Sequence, residues 1–240
     1  MRLHLLRHGQ THANVAGTLD TAHPGLELTD LGHAQATAAA QALVGEHLDA
    51  IYVSSRIRTH QTAAPTAATG SLTPVVVDGL EEIQAGDLEM RKDHDAVAGY
   101  IHTVAAWIEG DLDRRMPGGE TGHEFLARYD AAVRRILDAG HDAGHDAGHD
   151  AVLVVSHGAA LRTWTSSRML PDQGAPAATD PLHNTALIVL EGDMDTGWRL
   201  VSWQGTPAGG AFLDDHTAAD PTGDLDADDD GRPDVDVGVD

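Results

Sequence analysis

Residues 2–11 read RLHLLRHGQT, and this stretch predicts the fold class. Residues 3–6 form a short, mainly apolar run, which is typical of a strand that helices cover on both faces. The Arg7-His8-Gly9 turn follows at once, so it falls at the carboxyl end of that strand. Open α/β sheets place their ligand sites at this end of parallel strands. One stretch therefore predicts both the kind of sheet and the edge that carries the site.

Similar β-rich runs recur along the chain, with helical stretches between them. The further strands are predicted at residues 50–53, 74–77, 152–155, 187–190 and 200–203. Helices are predicted at 29–44, 56–69, 93–109, 121–137 and 159–169, the first with Thr29 or Asp30 as its N-cap. This alternation predicts an α/β fold, a three-layer α/β/α sandwich with a mostly parallel central sheet.

Composition limits the chemistry that is available. The 240 residues suit one well-buried domain, and 41% hydrophobic with only 4% aromatic residues means a core built mainly from aliphatic side chains. The absence of cysteine excludes disulfides and thiolate zinc sites. A net charge of -23 argues against nucleic acid as a partner, because such a surface repels phosphate backbones. The sequence does not specify an oligomeric state.

The N-terminal run is too short, and too soon interrupted by Arg7, to form a signal-peptide core. No apolar run approaches the ~20 residues of a membrane span. We therefore expect a cytoplasmic protein with no membrane partner.

Two segments stand outside the α/β pattern, which otherwise predicts one domain over residues 1–205. Residues 139–150 repeat Ala-Gly-His-Asp, so His141, His145 and His149 recur at the spacing of one helix face and could ligate a metal. The repeated glycines oppose a helix, and expansion of a tolerant loop is the favoured interpretation.

Residues 206–240 are rich in Gly, Pro and Asp and are predicted to form a disordered acidic tail. Residues 226–231 match the first half of an EF-hand calcium loop, but Val237 stands where the bidentate Glu belongs. A solvated tail is favoured over a calcium site.

The chemistry begins with His8. A neutral imidazole can act as a nucleophile at phosphorus near neutral pH. Arg7 beside it can hold two phosphate oxygens in its planar fork. A second strand, at residues 152–155, leads into Ser156-His157-Gly158 and then a helix, whose N-terminus favours an anion. Two such histidine turns at strand ends suggest one shared pocket.

The chain at this point resembles the histidine phosphatase superfamily, the phosphoglycerate mutase-like proteins. Six blocks occur in the family's order: LRHGQT at 6–11 with Asn14 beyond it, LTDLG at 28–32, SSRIRTHQTA at 54–63, LEEI at 80–83, GGET at 118–121 and VSHG at 155–158, with Asn184 as a late strand residue. The resemblance covers about residues 1–203.

The resemblance implies that His8 becomes phosphorylated, that Arg7, Arg58, His157 and Asn14 bind the phosphoryl group, together with the Gly158 turn, and that Glu82 protonates the leaving oxygen. It implies no metal and no cofactor. Local spacing favours Arg58 over Arg56, which is predicted to be a surface charge, and Glu82 over Glu81.

The sequence does not name the substrate. Glu89, Arg91, Glu120 and Arg162 are predicted to help select it. The favoured function is a phosphomonoesterase acting on small-molecule phosphate esters. The alternatives are a mutase that returns the phosphoryl group to its substrate, and a phosphate-binding module with little turnover.

Overall fold

A computed structural model describes residues 1–142, 150–170 and 180–222. The elements follow in the order β1 (Arg2–Arg7), α1 (His12–Ala16), α2 (Asp30–Ala42), β2 (Ala50–Val53), α3 (Ile57–Gly70), β3 (Val75–Val76), α4 (His94–Ile108), α5 (Gly122–Asp142), β4 (Ala151–Ser156), α6 (Gly158–Arg168), β5 (Leu187–Asp193) and β6 (Gly197–Gln204), with short 3-10 turns at Gly86–Leu88 and Ala211–Leu213. Within these ranges, no helix has the length and apolarity needed to cross a membrane.

The strands form one sheet in the order β3-β2-β4-β1-β5-β6. The first four of these are parallel, whereas β5 and β6 join the edge as an antiparallel hairpin. Each strand and each helix expected from the sequence is present. The short α1 was not expected, and it forms because Thr11 and Asn14 cap its first turn reciprocally.

Two cores lie on opposite faces of the sheet, because successive strand residues point to opposite sides. Leu6, with the strand residues on its face, packs against α2 and α3. Leu5, with those on the other face, packs against α4, α5 and α6. The predicted three-layer α/β/α sandwich is therefore confirmed. The few aromatic residues concentrate on the second face, where Trp107, Phe125, Tyr129, Trp164 and Trp198 form a continuous row of ring contacts.

The sheet order also positions the two histidine turns. Strands β1 and β4 are parallel neighbours, and their register pairs Arg7 with Ser156. The next residue of each strand, His8 and His157, therefore emerges side by side at the same edge.

The chain beyond β6 differs from the sequence expectation. Residues 206–222, predicted as the start of a disordered tail, run back over the carboxyl edge of the sheet. The Ala208 N–H donates to the Thr185 carbonyl, and the Gln35 amide donates to the Leu213 carbonyl. Polar anchors of this kind leave no apolar signal in the sequence. Residues 223–240, with the calcium-like motif, lie outside the described residues, as do residues 143–149 of the repeat.

Candidate active site

His8 lies buried at the end of β1. Its backbone N–H donates to the Ser156 carbonyl (3.0 Å), and its Nδ1 lies 2.8 Å from the Gly9 carbonyl oxygen. A carbonyl can only accept, so Nδ1 carries the proton and the Nε2 lone pair is left free. Burial, followed by the charges of Arg58 and Arg7, holds the pKa of His8 well below its ordinary value. The ring is therefore neutral near pH 7.

His157 stands beside His8, with ring centroids 5.2 Å apart. Its Nδ1 accepts from Arg58 Nε at 3.3 Å, and its Nε2 lies 2.7 Å from Ser54 Oγ. Since Arg58 Nε can only donate, Nε2 carries the proton and donates to Ser54. Burial and the nearby Arg58 charge also hold the pKa of His157 well below its ordinary value. Ser54 was not assigned a role from the sequence.

Arg58 projects from the first turn of α3 into the same space and is almost fully buried. Its guanidinium donates to the Asp20 carbonyl at 3.0 Å and pairs with the Asp20 carboxylate at 3.3 Å. Arg56 is not among the described residues that line the pocket. It is half-buried and donates to the Thr21 carbonyl at 3.0 Å, so it is not the free surface charge that was expected.

Arg7 and Asn14 present donors on the other side of His8. Arg7 is fully buried, and its Nη1 donates to the Leu182 carbonyl at 2.8 Å. The Asn14 side-chain oxygen accepts from the Thr11 N–H at 2.9 Å, which turns its NH₂ group inward. A Cβ on Gly158 would lie 2.9 Å from Arg7 Nε, so glycine is needed for this close approach.

Glu82 is buried and lines the pocket with His8 and Arg58. Burial raises the pKa of Glu82, against the opposing effects of backbone N–H donors and the Arg58 charge. Two of these donors are Ala159 and Ala160, so the first turn of α6 holds the Glu82 carboxylate. The sequence had suggested that this helix end would hold phosphate. Glu81 instead binds Ser55 and is half-buried.

A residue that the sequence did not reveal supports Glu82. Arg128, on α5, donates to the carbonyls of Glu81 and Glu82, each at 2.9 Å, and pairs with Glu120 through Nη2 at 2.7 Å. It thus ties down the loop that carries Glu82. An arginine on an amphipathic helix has the sequence pattern of a surface charge, so no local signal could have found it.

The four residues predicted to select substrate are not among the described residues that line the pocket. Glu120 is engaged by Arg128, and Arg91 is exposed and paired with Asp93. Arg162 is buried and donates to the Asp180 carbonyl. Glu89 accepts hydrogen bonds from Thr21, and so acts one step back from the pocket. The described residues that do line it include the loop Thr18 to Thr21.

The site is thus a buried imidazole with a free lone pair, surrounded by arginine and amide donors, with a carboxyl group opposite. Within the described residues, no group of three or more His, Asp and Glu side chains is placed to hold a metal ion.

The family model of the histidine phosphatase superfamily (branch 1) matches residues 3–206. The chain belongs to this superfamily. The resemblance read from the six sequence blocks is therefore confirmed, over nearly the range that they indicated.

The PE-PGRS family protein PE_PGRS11 of Mycobacterium tuberculosis is 37% identical over 217 residues, which is 87% of this chain, and the chain spans 37% of that protein's length. The adenosylcobalamin/alpha-ribazole phosphatase of Escherichia coli is 31% identical over 162 residues, or 67% of this chain and 75% of that protein. The structure of a mycobacterial glucosyl-3-phosphoglycerate phosphatase is 28% identical, with a TM-score of 0.68, and covers 85% of this chain and 99% of its own.

Proposed function

We propose that the chain is a phosphomonoesterase that hydrolyses small-molecule phosphate esters through a phosphohistidine on His8. The observation that carries this proposal is the free Nε2 of a neutral, buried His8, in a pocket that also contains Arg58 and Glu82. A nucleophile, cationic donors and an acid are the parts that phosphoryl transfer through a covalent intermediate requires.

In the first step, the His8 Nε2 lone pair forms a bond to phosphorus while the bond to the ester oxygen breaks. That oxygen takes the electron pair and a proton from the Glu82 carboxyl group. Arg7, Arg58 and Asn14 donate to the equatorial oxygens, where negative charge spreads in the transition state. His157 was expected to bind the phosphoryl group, but it is not among the described residues that line the pocket. Its Nδ1 instead accepts from Arg58 and holds that arginine in its orientation.

In the second step, water attacks phosphorus and the bond to Nε2 breaks. The Glu82 carboxylate accepts the proton of the attacking water, so the enzyme returns to its starting protonation state. The raised pKa of Glu82 suits a group that must both give and take a proton. The proton remains on His8 Nδ1, and its hydrogen bond to the Gly9 carbonyl keeps the ring aligned.

The substrate class is supported by the relatives, since two of them are named as phosphatases of small organic phosphate esters. We propose that the loop Thr18 to Thr21, held by the Arg58–Asp20 ion pair and by Glu89, contacts the organic part of the substrate. The net charge of -23 supports a small partner over a nucleic acid. The cytoplasmic location stays a prediction from the sequence.

The test is incubation of the purified chain with p-nitrophenyl phosphate and a panel of phosphorylated metabolites, with and without EDTA. We expect release of inorganic phosphate, no effect of EDTA, and an acid-labile phosphoenzyme. A parallel incubation with 3-phosphoglycerate and a bisphosphate primer tests the mutase alternative. Isomerisation without release of phosphate would replace the phosphatase by a mutase, and binding without turnover of any ester would leave only a binding module.

A further inference from the structure

The segment Asp214 to Thr222, here named the acidic strap, lies over the active site. It follows the Ala211–Leu213 turn, and the Asp215 carboxylate accepts from the Gln10 side chain at 2.9 Å. Its last residues reach the pocket, where Pro221 and Thr222 line the wall. The strap therefore connects the sheet edge to the space in front of His8.

Asp220 of the strap binds the donors that we assign to phosphate. Its Oδ2 lies 2.6 Å from Arg7 Nη2, and its Oδ1 accepts from the Asn14 amide at 2.9 Å. The Arg7 Nη2 also donates to Thr222 Oγ1 at 2.7 Å. A carboxylate offers these donors what phosphate offers them, namely negatively charged oxygen acceptors.

The fit of the strap is close. A Cβ on Gly158 would lie 2.7 Å from the Thr222 carbonyl oxygen, so the strap backbone needs glycine at that point. The Asp220 side chain is only 13% exposed. The cavity left beside His8 measures about 20 Å³, which holds about one water molecule. A phosphate group and the strap cannot both occupy this space.

Charge explains why the strap would settle there. Arg7 is fully buried, and a buried cation without a partner is costly. Asp220 gives Arg7 that partner, just as a phosphate ester would. Two anions that satisfy one buried arginine compete for it.

We propose that the acidic strap is an internal ligand of the phosphate site, with the Asp220 carboxylate held on Arg7 and Asn14 until a phosphate ester displaces it. This inference rests on the proposed function. Because the strap must leave first, the apparent affinity for phosphate esters is the intrinsic affinity multiplied by the fraction of molecules whose strap is released. Any change that releases the strap therefore activates the enzyme at low substrate concentration.

The test uses the full chain carrying Asp220→Asn, which keeps the side-chain shape and removes the charge. Asp195→Asn, in the exposed turn between β5 and β6, is the matched control because it removes one negative charge away from the site. Inorganic phosphate binding is measured by calorimetry, and KM and kcat with p-nitrophenyl phosphate. For Asp220→Asn we expect phosphate affinity to rise and KM to fall roughly tenfold to a hundredfold, the worth of a hydrogen bond to a charged group. Asp195→Asn should match the unmodified chain.

Unchanged or weaker phosphate binding in Asp220→Asn overturns the proposal; weaker binding would make Asp220 a supporting part of the site. The calorimetry needs no turnover, so it separates the two proposals. If the chain hydrolyses esters but Asp220→Asn does not raise the affinity for phosphate, only the proposal about the strap is refuted. If Asp220→Asn raises the affinity for phosphate but the chain hydrolyses no ester, only the proposed function is refuted.

Discussion

The two histidine turns are alike in their sequence context but differ in the partners of their imidazole rings. His8 and His157 each follow a parallel strand, each precede a glycine, and each are buried with a lowered pKa. His8 uses one ring nitrogen on its own loop and leaves the other free, whereas His157 has both nitrogens engaged by α3 and the turn before it. In the proposed function, the nucleophile is therefore His8, the histidine with a free lone pair.

The sheet order produces this difference. Strand β2 pairs with β4, so Ser54 and Arg58, which follow β2, reach His157. The other neighbour of β1 is β5, and Asn184, just before it, donates to the His8 backbone carbonyl and not to its ring. Among the described residues, the neighbours of β1 supply no partner for the second ring nitrogen of His8, so that nitrogen stays available for substrate.

The largest expected difference between the two histidines is seen when each imidazole is removed in turn. His8→Ala should abolish turnover and the acid-labile phosphoenzyme, because the atom that bonds to phosphorus is gone. His157→Ala should lower kcat/KM by roughly a hundredfold to a thousandfold, because Arg58 loses the ring nitrogen that orients it, while a phosphoenzyme still forms. Steady-state kinetics and trapping of the labelled intermediate measure both.

The reverse result would exchange the two roles. A His8→Ala enzyme with full activity would refute the proposed function, and a phosphoenzyme mapped to His157 would refute the argument from the free nitrogen. Circular dichroism and thermal unfolding of both variants show whether either loss of activity reflects loss of the fold.

Arg58 affects both histidines, because it contacts His157 and lies near His8. Arg58→Ala should lower kcat/KM by roughly a hundredfold or more, through lost stabilisation of the transferring phosphoryl group. Arg91→Ala is the matched control, since Arg91 is exposed and paired with Asp93 outside the pocket. Equal losses in the two variants would mean that net charge, and not the placement of Arg58, supports catalysis.

Substitution of Glu82 tests protonation of the departing alcohol separately from attack by His8. Glu82→Gln should lower the rate for alkyl phosphates by roughly a hundredfold to ten-thousandfold, the usual contribution of a general acid. The loss for p-nitrophenyl phosphate should be smaller, because its leaving group needs little protonation. Glu81→Gln should behave as the unmodified chain for both substrates. A loss in Glu82→Gln that is the same for both would argue against Glu82 as the acid.

The sequence specified the local features of the site more completely than its long-range ones. His8, His157, Arg58 and Glu82 lie in short blocks next to strand ends or helix starts, and the strand and helix patterns place those blocks at one edge. Arg128 lacks such a block, and the Glu81 and Glu82 carbonyls to which it donates lie in a different part of the chain.

Contacts over long chain separations account for the rest. Asp220 reaches Arg7 across 213 residues, and the acidic composition around it is the pattern of a solvated tail. Glu120 and Arg162 lie in or near family blocks, but their side chains are engaged by other protein groups. Composition and local pattern do not say which side chain satisfies a buried charge, since that depends on the packed fold.

The smallest expected effect concerns the protons on the two rings. Burial and the Arg58 charge lower the pKa of both histidines, so both stay neutral as the pH falls to about 6.5, where an unperturbed imidazole is half protonated. Arg58→Met removes one cause and should move both pKa values upward, and the Arg7 charge should still hold the pKa of His8 below its ordinary value. Nuclear magnetic resonance of ¹⁵N-labelled histidine, titrated from about pH 8 to about pH 5, measures both pKa values. A shift confined to His157 would mean that Arg58 acts through its hydrogen bond alone, and that the two rings are electrostatically independent.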